Sequence, residues 1–277
     1  MVKKTILHSS LYALVLGASL IGHVWAAGLL FFSLEAATLF KISAVLLACG
    51  LVALFAIRQL CRFFFQPGAV PAWMEVLAGR HAQALSLARP QLYQLSGAGI
   101  NAFALSGVGG PGIILFHSQV ISQLTQDEIE AVIAHELAHL SERHSSVMTF
   151  LQGMAMPLVV PAALLASSMI SLLYGTGRFR VYLVHAYSLF NLSLFPLTSV
   201  LIAIVSRHWE YRADAIAASL VGPDRYIAAL RCLHGMFFQH PDLLSMTVMA
   251  AQETRRNEWT LSHPGLDKRI EALRQIG

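Results

Sequence analysis

His135-Glu136-Leu137-Ala138-His139 is a complete HExxH stretch, set inside a run that reads as one helix. Thr125-Gln126-Asp127-Glu128 has the S/T-x-x-E form of a capping box, and Ile129, Val132, Ile133, Leu137 and Leu140 continue from it at helical spacing. Residues four apart share a helix face, so His135 and His139 can grip one metal ion. Glu136 then sits beside the metal, where it can take a proton from water. With 12 His and 10 Glu in 277 residues, the pattern is expected by chance about 0.02 times. Two surface histidines around a solvated Glu is therefore the poorer account of it.

Outward from this helix, the composition is that of a membrane protein. The chain is 56% hydrophobic and 12% charged, where an ordinary soluble domain is about 25% charged. Thr5–Leu34, Ile42–Ile57, Ser145–Gly177 and Val181–Ser206 contain no Asp, Glu, Lys or Arg. A span needs about 20 apolar residues. The first, third and fourth stretches reach that length outright, and the second does so if Lys41 and Arg58 snorkel to the interfaces. Four transmembrane helices are expected. Val24-Trp25-Ala26 offers a small-residue cleavage site after Lys3 and Lys4. The apolar run is longer than the roughly 7–15 residues of a signal-peptide core, so an uncleaved anchor is expected.

Charge orients the chain. Lys3, Lys4, Arg58, Arg62, Arg80, Arg143, Arg207 and Arg212 flank the four spans on one side, against Lys41, Arg178 and Arg180 on the other. The positive-inside rule places the N-terminus, the 58–144 region and the C-terminal region in the cytoplasm. The net charge of +4 is not gathered into a stripe, so no nucleic-acid partner is expected. Cys49, Cys61 and Cys232 have neither metal-type spacing nor an even disulfide framework.

The segments that follow are residues 1–62, an N-terminal pair of spans, and 63–146, a polar half with a small sheet and the HExxH helix. After them come 147–206, a second pair of spans, and 207–277, a polar helical region. Gln91–Leu95, Asn101–Leu105 and Gly112–Phe116 are short apolar runs between glycine-rich turns, the pattern of a small antiparallel sheet. Gly107–Gly112 lacks the spacing and the following helix of a phosphate loop. Pro157, Pro161 and Pro196 fall within the second pair of spans, where kinks are tolerable.

A catalytic metal site wants a third protein ligand and an open position. His144 lies nine residues after His135 and is expected to point away, and the metzincin continuation is absent because Glu142 and Ser145 stand at its glycine and final histidine positions. Two spans after the motif return the chain to the same side at Arg207, just before Glu210-Tyr211-Arg212-Ala213-Asp214. Glu210 and Asp214 are four apart on one helix face. One can ligate the metal while the other orients a neighbouring group. The competing account is a solvated acidic face.

HELAH, EYRAD after a hydrophobic hairpin, Ser262-His263-Pro264 with Asp267-Lys268-Arg269-Ile270, and the Asn101-Ala102-Phe103-Ala104 segment together resemble the membrane zinc metalloproteases of the HtpX and CAAX prenyl protease type. These motifs keep that family's order across about residues 90–275, while the N-terminal spans match in kind rather than in sequence. The resemblance implies a mainly α integral membrane protein in which a cytosolic zincin-like α+β protease domain joins the four transmembrane helices. It also implies one zinc ion held by His135, His139 and Glu210, with Glu136 as general base. Asn101 would hold the substrate backbone, His263 would stabilise the developing oxyanion, and Asp214 with Arg269 would form a supporting ion pair. The competing account of His263 before Pro264 is a surface residue at a helix start, and two His with a carboxylate also suit iron.

The activity so implied is endopeptidase cleavage of membrane or misfolded proteins at a bacterial inner membrane, with polypeptides and the lipid bilayer as partners. Two other readings stand beside it. One is a dedicated processor of one membrane-associated or lipidated substrate, such as a prenylated tail, which four spans fit poorly. The other is an inactive adaptor, which would be expected to have lost Glu136 first.

Overall fold

The computed structural model describes residues 2–65, 67–96, 101–175, 179, 182, 196–239 and 264–275. Two long apolar helices come first, α1 (Val2–Phe31) and α2 (Ala36–Phe65), and a third, α6 (His144–Tyr174), follows the HExxH helix. Among the described residues these are the helices long and apolar enough to cross a membrane. Leu14, Leu30, Phe31, Phe40, Phe55, Leu165 and Leu172 project from them exposed, an apolar surface that suits lipid rather than water. The fourth expected span, Val181–Ser206, lies largely outside the described residues, as does the turn expected near Gly175–Arg180.

Small residues let these helices approach. A Cβ on Gly153 of α6 would lie 2.5 Å from the Ala53 Cβ and 3.0 Å from both the Cys49 carbonyl and the Gly50 Cα of α2. In lipid, where apolar side chains gain nothing by leaving the solvent, such close backbone contact is a main source of helix association. Pro157 and Pro161 both sit within α6.

The polar half carries a four-stranded sheet, β1 (Gly68–Ala69), β2 (Gln91–Leu95), β3 (Ala102–Leu105) and β4 (Ile113–His117), in the order β1-β2-β4-β3. The three expected strands exist, but the sheet is mixed rather than antiparallel. β2 and β4 run parallel, with Gln91 opposite Ile113 and Leu95 opposite His117, while β3 pairs antiparallel with β4. The reason lies in Ile113-Ile114-Leu115-Phe116, an apolar run without alternation. A strand covered on both faces reads this way, and such a strand belongs in the middle of a sheet. Ile114 and Phe116 pack with α3 (Ala72–Ala84) and the HExxH helix, whereas Ile113 and Leu115 pack against Cys61 of α2. β4 thus takes the central place and leaves β3 at the edge.

The Gly107–Gly112 segment is the turn of the β3–β4 hairpin and presses on α2. A Cβ on Gly107 would fall 1.9 Å from the Leu54 carbonyl oxygen, which accepts a hydrogen bond from Val108 N at 3.0 Å. Glycine is required there by the approach of two backbones.

After the short α4 (Ser118–Gln123), α5 (Gln126–Ser141) opens on the expected capping box. Glu128 N donates to Thr125 Oγ1 at 3.3 Å, and Thr125 N donates back to Glu128 Oε2 at 2.8 Å. Arg143 adopts the left-handed conformation (φ 59°), which ends α5 and lets α6 start in a new direction. α7 (Pro196–Val221), α8 (Pro223–Gln239) and α9 (Leu266–Arg274) complete the described chain. α2, α6 and α7 run unbroken through positions 62, 146 and 206, so apolar and polar segments share continuous helices. α5 and α7 meet through Ala131, Ala134, Ala217 and Ala218, all buried, and this close contact brings Glu210 over the HExxH turn.

Candidate metal centre

His135 and His139 present their Nε2 atoms to each other at 3.1 Å, their rings nearly perpendicular. Glu210, 3% exposed on α7, completes the group, with Oε2 3.5 Å from His135 Nε2 and Oε1 3.3 Å from His139 Nε2. Ligand atoms around a tetrahedral zinc, each about 2.0–2.1 Å from it, stand roughly 3.3–3.4 Å apart. Two histidines and one carboxylate at this spacing therefore fit one metal ion. Glu136, next along α5, is buried.

The ring of His135 is fixed from behind. Tyr226 of α8 has a single O–H, which it donates to Asp214 Oδ1 at 2.6 Å. Its oxygen can then only accept from the Nδ1–H of His135 at 2.8 Å, which puts the lone pair of the neutral ring on Nε2, toward the other two ligand atoms. Asp214 Oδ1 is itself 3.3 Å from His135 Nδ1. Arg269 of α9 grips Asp214 with two bonds, Nε to Oδ2 at 2.7 Å and Nη2 to Oδ1 at 2.6 Å, and its Nη2 lies 3.5 Å from Glu210 Oε2.

This cage is electrostatically built for a cation. Burial would lower the pKa of His135, but the hydrogen bonds and charges of Asp214 and Glu210 outweigh it and push it up to about 10. For Asp214, burial would raise the pKa, yet Arg269 and His135 hold the carboxyl down at about 2, so it is an anion at neutral pH.

His144 departs from expectation. It does not point away, since its Nδ1 lies 3.1 Å from the Nδ1 of His139. The nine-residue separation misleads because the helix does not continue: Arg143 turns the chain, and His144, as the first residue of α6, comes back against α5. A second clamp sits nearby, where Arg212 binds Glu142 through Nε at 3.1 Å and Nη2 at 2.9 Å, and Ser9 of α1 donates to the Glu142 carbonyl at 2.8 Å.

Asn101 lies exposed at the start of edge strand β3, and its carbonyl accepts from His117 N at 2.9 Å. His263 lies outside the described residues. Tyr226, His144 and Arg212 escape a reading of the sequence. For Tyr226 the usable signal is general: a tyrosine on an apolar helix face needs a partner for its hydroxyl.

Comparison with known proteins places the chain among relatives. The model of Peptidase family M48 matches residues 69–277. The chain is 31% identical over 209 residues to Protease HtpX of Glaesserella parasuis, covering 74% of this chain and 73% of that one. It is 32% identical over 208 residues to Protease HtpX of Vibrio campbellii, covering 73% and 71%. The crystal structure of S. mikatae Ste24p superposes with a TM-score of 0.55 at 17% identity, covering 98% of this chain and 66% of that chain, a likeness of fold. The family match covers residues 69–277, well over half of the chain, so this chain belongs to peptidase family M48 and is a membrane metalloprotease.

Proposed function

We propose that the chain is a zinc-dependent endopeptidase of four spans whose active site faces the cytoplasm of a bacterial inner membrane and cleaves membrane or misfolded proteins. The observation that carries this reading is the convergence of His135, His139 and Glu210 beside the buried Glu136. Zinc held there would supply Lewis acidity, polarising the scissile carbonyl and making water acidic near neutral pH. Glu136 takes the water's proton and delivers it to the leaving amine. His263, three residues before α9 in sequence, stabilises the oxyanion as it forms. Asp214, Tyr226 and Arg269 hold His135 in the required tautomer. The cytoplasmic orientation rests on the distribution of Lys and Arg.

Metal removal tests the reading directly. Purified full-length protein in detergent, treated with chelator, is expected to lose peptide hydrolysis and regain it with zinc. Glu210→Ala should bind less than one zinc per chain and stay inactive. Activity that survives both treatments would refute the proposal.

Substrate recognition falls to β3, whose outer edge pairs with no other described strand. An extended peptide can add to such an edge through its backbone, with Asn101 at the strand's start. Peptides N-methylated beside the scissile bond are expected to be cut at least tenfold more slowly than their parents. Equal rates for the two would remove β3 from the account.

A further inference from the structure

The two histidines are supported differently. His135 has Tyr226 and Asp214 behind its ring. Behind His139 stands His144, Nδ1 to Nδ1 at 3.1 Å. A neutral imidazole carries one N–H. For His139 to offer a lone pair at Nε2, its hydrogen must sit on Nδ1, which makes Nδ1 a donor and leaves His144 Nδ1 to accept. His144 cannot be a further ligand in this pose, because it meets His139 on the nitrogen that does not face the metal group.

The acceptor is held rigidly. His144 is 5% exposed, and its ring stacks on Trp209 at 4.5 Å and 13°. Trp209 immediately precedes Glu210 and meets Tyr12 of α1 edge-on at 5.6 Å. One stack thus backs the ligand on α5 and adjoins the ligand on α7, and it reaches into an N-terminal membrane helix.

We infer that His144 is the positioning residue of His139, accepting the Nδ1–H hydrogen bond that aims the Nε2 lone pair into the metal group. This rests on the metal-site reading above. It deepens that reading by assigning a residue outside the HExxH and EYRAD stretches.

The test is zinc affinity of the full-length chain in detergent, measured by competition with a chromophoric chelator, together with the visible spectrum of the cobalt(II) form. His144→Phe keeps the stack on Trp209 and removes the acceptor, whereas His144→Asn keeps an acceptor oxygen and removes the stack. Positioning predicts zinc binding about 10–100-fold weaker and shifted cobalt bands for His144→Phe, with His144→Asn within a few-fold of wild type. The reverse order, or no change in His144→Phe, overturns the inference and leaves His144 a packing residue. Should either variant fail to fold, the structure of the zinc-loaded wild type decides. A His139–His144 Nδ1 separation within about 3.2 Å upholds the hydrogen bond, and one beyond about 3.6 Å overturns it. A wild type that binds no zinc, or binds it equally well as His139→Ala, would instead sink the metal-site reading itself.

Discussion

Glu136→Gln is expected to lower kcat/KM for peptide hydrolysis by about 10²–10⁴-fold while the protein still binds one zinc. Glutamine preserves the size of the side chain and its place beside His135, but it cannot take a proton from water. Its burial matters here, because a buried side chain cannot be readily replaced by bulk hydroxide or buffer. The paired measurement is zinc content by elemental analysis with turnover of a quenched peptide. Activity within tenfold of wild type at full zinc occupancy would exclude Glu136 as the base. Lost zinc alongside lost activity would instead show that the substitution damages the cage.

The second large effect is structural. Arg269→Met keeps the length and apolar stem of the side chain but removes both bonds to Asp214. Asp214 is 1% exposed, so the carboxylate would stay buried with its charge only partly answered by Tyr226 and His135. Removing one member of a buried pair costs about 3–5 kcal/mol. The Arg269 side chain is 14% exposed, which places the expected cost toward the low end of that range. A fall in Tm of roughly 5–15 °C should follow for a chain of this size. Adding Asp214→Asn to Arg269→Met should recover part of the loss, since the stranded charge is then gone. A single variant as stable as wild type would show that Arg269 is not what compensates Asp214.

The metal helix is legible in the chain because everything that defines it is local. The capping box, the apolar positions at helical spacing and the two histidines four apart all lie between Thr125 and Leu140. Glu210 was read from an expected topology, in which two hydrophobic stretches return the chain to the side of the HExxH motif, and the structure brings its carboxylate against His135 and His139. The sheet was only half legible. Its strands have the expected places, but the pairing depends on β4 being covered on both faces, by the α5 layer and by α2, and that is a matter of packing between distant segments. His144 shows the limit most plainly. Helical periodicity carries it away from the site, and one left-handed residue, Arg143, returns it.

By itself, then, the sequence determined the class of chemistry, the metal helix, the apolar helices and the third candidate ligand, because short spacings and long apolar runs act through the nearest neighbours or through the bilayer. The tertiary structure alone decided what stands behind those ligands. Tyr226 reaches His135 across 91 residues, and Arg269 reaches Asp214 across 55. Contacts of that range leave no periodic trace in the chain, because they exist only once α5, α7, α8 and α9 have packed against one another.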